Sequence, residues 1–551
     1  MQSILRAVWS QTYDPTGQPW LSTLCAALPV VALLGSLAFL KLHAHIAALV
    51  GLVTSLVIAV LVFGMPAPMA LASAGYGAAY GLLPIGWIVL NVIFLYQLTE
   101  ERGLFATLRQ SITHVTTDAR LQLLLVAFAF GAFFEGAAGF GTPVAVTGAL
   151  LIGLGFAPLA ASGLSLIANT APVAFGALGT PIIALSAVSG LDLLALSGMV
   201  GRQLPLFSVI VPFWLIAAFA GWRGMIGIWP AILAAGLPFA VLQALVSNLH
   251  GPWLVDVVAA IASMGSLVLF LRVWQPSDGW HPGERLGVRQ DAGVATPSAA
   301  EIRRAWMPWL ILSLLVFVWG LPPVKTALDA WTTVRVPVPA LHNLIERVPP
   351  VVATATKEPA LFAITWMSAT GTSIFIAAIL AGLVMGCSAA DLVRTYARTL
   401  RLVRTSLVTI AVMMAIGFTT RYSGLDATLG LAFAGTGVLY PFFGTMLGWL
   451  GVALTGSDTS SYVLFGSLQR ITAEQLGLDP ILMAASNSSG GVMGKMIDAQ
   501  SIVVASTATR WYGHEGEILR YVFWHSLVLA AMVGGLVMLQ AYVWPFTGLV
   551  W

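Results

Sequence analysis

The chain has 551 residues, of which 58% are hydrophobic and only 9% are charged, whereas a soluble domain carries about 25% charged residues. This composition argues against a soluble protein, because a soluble chain of this length needs a charged surface over several domains. The net charge is only +3 and no basic patch alternates with aromatic residues, which argues against a nucleic-acid-binding protein.

Apolar stretches of about 20 residues recur along the chain. At about 1.5 Å rise per residue, each stretch can span a hydrocarbon core of about 30 Å, and it must be helical because lipid offers no partners to exposed amides. We therefore expect an all-α polytopic membrane protein with about 12–14 transmembrane segments. The clearest stretches are residues 45–64, 204–221, 227–248, 253–271, 305–321, 361–386 and 521–544.

The distribution of charge predicts how the chain is divided. The longest polar stretch, 272–304, holds five arginines, and a second basic loop, 391–404, holds four. Cytoplasmic loops are enriched in Lys and Arg, so both loops are predicted to face the cytoplasm and the intervening segment 322–360 to face outward. The predicted divisions are an N-terminal segment 1–22, a first membrane half 23–271, a cytoplasmic loop 272–304 and a second membrane half 305–551.

Two regions, 121–190 and 448–506, differ from ordinary spans because they are rich in glycine and also contain proline. They include FFEGAAGFGTPVAV (133–146), NTAPVAFGALGTPI (169–182), LTGSDTSSYVLFG (454–466) and SNSSGGVMGKMIDAQS (486–501). Such residues are tolerated at membrane depth mainly where freed backbone groups line a cavity. Interrupted segments in both halves indicate a transporter's binding site. We predict two pseudo-symmetric halves that contain broken helices or re-entrant hairpins.

Two dipeptides support this correspondence. Asn169-Thr170 and Asn487-Ser488 each combine an asparagine with a hydroxyl residue, and each asparagine is followed by a glycine seven positions later. A bound carboxylate needs hydrogen-bond donors in a site that holds little water. We therefore predict that these dipeptides lie in loops that supply helix-end amides and polar side chains to the substrate.

Glu135 is the only charged residue between Arg120 and Asp192. A charge at the bilayer centre costs on the order of 3 kcal/mol, so the neutral, protonated carboxyl is favoured there. We interpret Glu135 as a proton-carrying group, with a neutral carboxyl held by neighbouring backbone as the alternative. Glycines beside it would let the backbone approach a ligand closely, and those assigned to substrate binding are Gly136, Gly139 and Gly141.

Asp458 has a similar place in the second half, among hydroxyl residues that include Ser457 and Thr459. This composition is typical of a helix N-cap or a hairpin tip. A helix N-terminus also attracts an anionic ligand. We assign Asp458 to proton coupling and the two hydroxyl residues to substrate binding, with capping alone as the alternative.

Arg202 and Lys495 are the cations available near these regions, and either could bind a carboxylate. Arg202 could equally lie in a loop at a membrane face, and Lys495 could form a structural ion pair with Asp498 or Asp458. The sequence has no Walker motif, nucleophile elbow, HExxH motif or metal-ligand pattern. We therefore expect no enzymatic activity, no cofactor and no metal site.

Several long strings resemble the bacterial L-lactate permease family. They are QTYDPTGQPW (11–20), FFEGAAGFGTPVAV, LIANTAPVAFGALGTPI, VGRQLP, LTGSDTSS and GGVMGKMIDAQS. The resemblance runs from near residue 10 to the C-terminus and is weakest over 275–300. It implies a multi-pass protein of the bacterial inner membrane that imports L-lactate, D-lactate and glycolate in symport with protons.

The resemblance also suggests kinship with a wider group of ion transporters, in which two broken-helix repeats surround a carboxylate site. In that group's dicarboxylate carriers, Asn-Thr loops help to bind sodium. A sodium-coupled carrier of another small organic acid is therefore the alternative. A channel or a sensor is a weaker one, because two buried acids and paired broken helices suit an occluded, coupled site. A homodimer is expected only by analogy with this group.

Overall fold

The computed structural model describes residues 8–38, 40, 42–104, 106–107, 110, 115–137, 139, 141–276, 297–352, 354–511 and 514–550. These residues form an α-helical bundle with a few short strands at one end. The predicted all-α polytopic class is confirmed. Most of the predicted loop 272–304 lies outside the described residues.

Within the described residues, eight helices are long and apolar enough to cross a membrane, or nine if one bent pair is counted as a single span. The predicted total of about 12–14 segments and the two pseudo-symmetric halves stay predictions. The eight helices are Ala67–Glu101, Ala119–Ala137, Leu193–Ile226, Trp229–Leu249, Ala299–Trp319, Ala389–Ser423, Leu425–Ala453 and Glu515–Tyr542. Further apolar helices are Pro19–Ala38, Ala44–Leu61, Val255–Phe270 and Thr370–Val384.

The first glycine-rich region forms a helical hairpin followed by a broken helix. In the first hairpin, Ala119–Leu123, the π-helical turn Leu124–Phe130 and Gly131–Ala137 run continuously to a tip, after which Thr142–Gly153 packs back against them. The first broken helix consists of Pro158–Ala168, a 3₁₀ turn Val173–Phe175 and Gly176–Ser189, with a bend of 64°. The arm that runs to the tip, Ala119–Ala137, is called the ascending arm, and it is enclosed by other parts of the protein along its length.

The second glycine-rich region has the same succession of elements. In the second hairpin, Tyr440–Thr455 and Asp458–Leu476 pack together on either side of a two-residue tip. The second broken helix consists of Pro480–Gly494 and Ala499–Ala508.

The two regions pack directly against each other. Gly176–Ser189 of the first broken helix contacts Asp458–Leu476 of the second hairpin, and Thr142–Gly153 of the first hairpin contacts Ala499–Ala508 of the second broken helix. The hairpin tips and the helix breaks are thereby brought to one place inside the bundle.

The segment 322–360, predicted to face outward, forms a small polar cap with the N-terminal residues. Helix Pro322–Thr332 leads into the strands of this cap. Trp9–Ser10 pairs in parallel with Ile345–Arg347, which pairs antiparallel with Thr356–Lys357; Val334–Pro337 pairs antiparallel with Leu361–Ile364. Gln11 donates from Nε2 to the carbonyls of Arg421 and Tyr422 at 3.0 and 2.9 Å. The N-terminal segment is therefore tied to the second half of the chain.

Several predicted boundaries differ from the structure, among them the end of the predicted loop 272–304, because a helix begins at Ala299. The first helix begins at Pro19, inside the predicted N-terminal segment. The basic stretch 391–404, predicted as a loop, is helical: Ser388 and Asp391 form a capping box that starts the 35-residue helix Ala389–Ser423. The apolar stretch 361–386 begins as a strand and becomes helical only at Thr370, because its first residues pair with Val334–Pro337.

Candidate functional site

A cavity of about 80 Å³ lies where the two hairpin tips and the two helix breaks meet. Its volume has room for only a few water molecules or for one small ligand. Both regions contribute charged and hydroxyl groups to its wall. The lining residues are Glu135, Gly139, Gly141, Val173, Gly176, Ala177, Thr180, Pro181, Gly456, Ser457, Asp458, Thr459, Lys495 and Ser501.

Glu135 enters the cavity from the last turn of the first hairpin's ascending arm. It is 5% exposed, and its Oε2 accepts a hydrogen bond of 3.1 Å from Asn169 Nδ2 at the break of the first broken helix. Gly176 lies directly against the carboxyl group, since a methyl group at this position would overlap Glu135 Oε1. Asn169 and Gly176 together hold this carboxyl at the cavity wall.

The backbone around Glu135 takes conformations that few residues allow. Gly141 has φ +79° and precedes the descending arm of the hairpin, where a left-handed conformation is accessible to glycine. Ala177 and Leu178 also have positive φ, at +44° and +54°. Such conformations cost of order 1–3 kcal/mol each and occur mainly where surrounding structure enforces them. This turn brings the backbone of the first broken helix onto the cavity.

Asp458 is the first residue of the helix that follows the second hairpin's tip. Ser457 caps this helix by accepting a 3.3 Å hydrogen bond from the Ser460 amide, as expected for a hydroxyl residue at an N-cap. Asp458 Oδ1 has no hydrogen-bond partner among the described residues. The capping function therefore belongs to Ser457, which leaves the carboxyl of Asp458 available to the cavity.

Lys495 supplies the positive charge of the cavity from the break in the second broken helix. Its Nζ donates to the Gly456 carbonyl at 2.7 Å and lies 3.4 Å from Asp498 Oδ2. Asp498 is fully buried and accepts a 2.7 Å hydrogen bond from the Ser501 amide, so it caps the Ala499–Ala508 helix. The ion pair with Asp498 that was one predicted alternative for Lys495 is present, and the lysine also faces the cavity.

The remaining predicted binding residues do not line the cavity. Thr170 is buried beside Asn169 and donates to the Ile167 carbonyl at 2.8 Å. Gly136 faces away from the cavity, toward Asp256. Arg202 lies elsewhere in the bundle, where its guanidinium donates to Asn248 Oδ1 at 3.0 Å and to the Leu549 carbonyl at 3.2 Å.

Asn487 and Ser488 occupy the middle of an unbroken helix, Pro480–Gly494, and not a loop. Ser488 Oγ shares a 2.7 Å hydrogen bond with the Tyr462 hydroxyl, and Asn487 Oδ1 lies 3.4 Å from Gln469 Nε2. The break in this segment falls at Lys495–Asp498 instead. The predicted loop at Asn487-Ser488 is therefore wrong.

Several groups at or near the cavity were not among the predicted site residues. Gly176, Thr180 and Ser501 line the cavity, and Asp256 is a buried acid packed against Gly136. Asp256 is the only charged residue in the apolar stretch 253–271. The argument that singled out Glu135, a lone carboxyl at membrane depth, applies equally to it.

Comparison with known proteins identifies the family. Residues 22–544 match the family described as L-lactate permease. The chain is 47% identical to the glycolate permease GlcA of Escherichia coli strain K12 over 98% of this chain and 99% of the relative. It is 45% identical to the L-lactate permease of the same strain over 97% of this chain and 98% of the relative.

Among solved structures, the chain is similar to MtrF of Neisseria gonorrhoeae, which is described as illuminating a class of antimetabolite efflux pumps. The TM-score is 0.49 and the sequence identity is 11%, and the match covers 93% of this chain and 97% of MtrF. The match to the family spans nearly the whole chain, and it agrees with a polytopic helical bundle around a small charged cavity. The chain is thus a multi-pass membrane permease and not an enzyme, and it belongs to the L-lactate permease family.

Proposed function

We propose that this protein imports L-lactate, and also D-lactate and glycolate, across the bacterial inner membrane in symport with protons. The observation that carries the proposal is the joint presence of one cation, Lys495, and two acids, Glu135 and Asp458, in the wall of a single small cavity. The bacterial relatives, named glycolate and L-lactate permeases, support the choice of substrates and the membrane.

Recognition of the substrate would rest on Lys495 and the hydroxyl groups near it. The ammonium of Lys495 provides a point charge for the substrate carboxylate. Ser457, Thr459 and Thr180 line the same cavity and can hydrogen-bond the 2-hydroxyl group. A volume of about 80 Å³ favours acids of two or three carbons over larger acids such as citrate.

Proton coupling would rest on Glu135, with Asp458 as a second carrier. Glu135 has Asn169 as its hydrogen-bond donor and no cation bonded to it among the described residues. Its anionic form is therefore disfavoured unless the site supplies compensation. A proton bound there would cross together with the lactate anion as a neutral pair, which lowers the cost of carrying the substrate through the bilayer.

The second candidate is sodium coupling with another small organic acid. Two oxygens near the cavity, Asp458 Oδ1 and Asn169 Oδ1, have no hydrogen-bond partner among the described residues. Carboxylate and amide oxygens are ligands that hard cations accept. This observation supports the alternative, and the coupling ion separates the two candidates.

Uptake into proteoliposomes tests the proposal. Purified protein is given labelled lactate, glycolate or citrate under a proton gradient or a sodium gradient imposed separately. A neutral one-to-one symport should accumulate lactate about tenfold per pH unit, should accept glycolate and should not accept citrate. A protonophore should abolish the accumulation. Lactate accumulation that follows the sodium gradient and ignores the proton gradient would refute proton symport and favour the alternative.

The orientation can be tested in whole cells. We propose that stretches 272–304 and 391–404 face the cytoplasm, because their arginines resist translocation. A cysteine at Ala390, in a chain whose Cys25 and Cys387 are replaced by alanine, should be shielded from an impermeant thiol reagent until the membrane is opened. Labelling of intact cells would reverse the orientation. The homodimer stays a prediction.

A further inference from the structure

Asp256 is a buried acid that does not line the cavity. It lies in the first turn of the Val255–Phe270 helix and is 1% exposed. Neither of its carboxyl oxygens has a hydrogen-bond partner among the described residues. A carboxyl that serves only to hold structure is normally hydrogen-bonded when it is buried, because an unpaired polar group is costly. The missing partners at Asp256 therefore call for another explanation.

Asp256 lies against the residue next to Glu135. A methyl group at Gly136 would be 2.7 Å from Asp256 Cβ and 3.0 Å from the Val257 amide nitrogen. The start of the Val255–Phe270 helix is therefore packed on the end of the first hairpin's ascending arm, at the residue that follows Glu135. Only a residue without a side chain allows this close approach.

The elements packed against the Val255–Phe270 helix carry one charged side chain, that of Glu135. The helices that pack against Val255–Phe270 are Trp229–Leu249, the π-helical turn Leu124–Phe130, Gly131–Ala137 and Gly176–Ser189. Among the residues of these four elements, Glu135 is the only Asp, Glu, His, Lys or Arg. Glu135 is thus the ionisable group in these elements whose protonation can respond to a change of charge at Asp256.

A short loop leads from Asp256 toward the polar cap. Residues 250–254 precede the helix, and Pro252 lies against Gly179 at the start of Gly176–Ser189. Within this loop, the ring of Trp253 makes a T-shaped contact with the ring of His250. The Nζ atom of Lys325 lies over the Trp253 ring, 5.0 Å from its centroid, in a cation–π contact. His250 and Lys325 are both partly exposed. The next ionisable groups along this direction are therefore partly exposed and lie on the side of segment 322–360, which is predicted to face outward.

We propose that Asp256 is a second proton-carrying carboxyl, which passes protons between the outer side of the membrane and Glu135. This inference rests on the proposed function. A proton taken up by the Asp256 carboxylate moves to the Glu135 carboxylate; Asp256 is left as an anion and Glu135 as a neutral acid. The transfer moves one negative charge from Glu135 to Asp256 and leaves a single anion, whereas release of the Asp256 proton to solvent beside an anionic Glu135 would leave two adjacent anions that repel each other.

The test compares two transport modes in Asp256→Asn, which imitates the protonated acid. Proteoliposomes report net lactate uptake through an internal pH dye, and exchange of labelled lactate between equal pools reports movement without net proton transfer. We expect D256N to slow net uptake and lactate-dependent acidification by about tenfold or more, with exchange close to that of the wild type. Asp426→Asn is the matched control, since Asp426 is also buried, has one unpartnered oxygen and does not line the cavity.

The outcomes separate this inference from the proposed function. Acidification in the wild type with normal acidification in D256N would overturn the inference alone, as would an equal loss of exchange and net uptake. Absence of lactate-dependent acidification in the wild type would overturn both. If D256N does not reach the membrane, Asp256→Glu decides: it keeps a titratable group one methylene longer, and we expect the external-pH dependence of net uptake to shift while exchange is preserved. An unchanged pH profile in D256E would overturn the inference.

Discussion

The two glycine-rich regions place an acid in the same cavity but surround it differently. In the first region, Glu135 has an amide donor, Asn169, and a glycine, Gly176, as its closest neighbours. In the second region, Asp458 shares its side of the cavity with Lys495, which is held by the Gly456 carbonyl and by Asp498. One region therefore presents an acid without a cation, and the other presents a tethered cation.

This difference suggests a division of labour. A cation held in place by a buried carboxylate keeps its charge, and it is suited to bind an anion in every cycle. A buried carboxyl whose hydrogen-bond donor is a neutral amide is disfavoured as an anion, so it binds a proton readily and releases it only when its surroundings compensate the charge, which suits a coupling group. Recognition of the substrate would then depend mainly on the second region, and proton coupling on the first. Single substitutions in each region can test this division.

The largest effect is expected from Glu135→Gln, which removes the titratable group of the first region. Accumulation of lactate driven by a pH gradient should be abolished, while exchange between equal pools should partly survive because it needs no net release of protons. Uptake and exchange in proteoliposomes measure the two modes. Glu474→Gln, outside the cavity, is the control. Accumulation by E135Q in response to external acid would show that Glu135 is not the coupling group.

Lys495→Met tests the second region. Removing the cation leaves Asp498 buried and unpaired and takes the point charge from the substrate, so lactate affinity should fall by about 100-fold, equivalent to about 3 kcal/mol. Binding to purified protein measures the effect, and Lys495→Arg should retain part of the affinity. Lys357→Met, in the polar cap, should bind lactate like the wild type. An intact affinity in K495M would remove recognition from the second region.

Gly176→Ala sharpens the assignment of Glu135 without changing any charge. The added methyl group would overlap Glu135 Oε1, and a displaced carboxyl should lower pH-driven uptake by about 30-fold, from about 2 kcal/mol of overpacking. Gly153→Ala, at the end of the first hairpin, is the matched control because its methyl group would meet no atom within 4 Å. Equal uptake by the two alanine variants would argue against a requirement for the position of the carboxyl.

A smaller contrast is expected between the two asparagines. Asn169→Ala removes the hydrogen bond to Glu135 and should weaken lactate transport about tenfold. Asn487→Ala removes only a long contact with Gln469 and should weaken transport about threefold or less. Initial rates of uptake, corrected for the amount of protein in the membrane, measure both. A larger loss in N487A would restore Asn487 to the binding site.

The sequence was sufficient to predict the membrane class and to single out the two regions that line the cavity. Solvent physics explains why: a chain with few charges and repeated apolar stretches can be stable only in lipid, and lipid requires helices. The same physics singled out Glu135 and Asp458, because an isolated acid in such a stretch is costly unless it has a function. The hydroxyl residues around Asp458 correctly indicated a helix start.

The contacts between segments that are distant in the sequence could be seen only in the tertiary structure. The glycines after Asn487 suggested a break, but Gly490 and Gly494 lie against the backbone of the Tyr440–Thr455 helix, so their small size serves close helix packing. Arg202 pairs with Asn248 and with Leu549, 347 residues away in the chain. Asp256 and Glu135 are 121 positions apart and become neighbours only through Gly136. Local composition fixes the cost of burying a group, whereas its partners are decided by long-range packing.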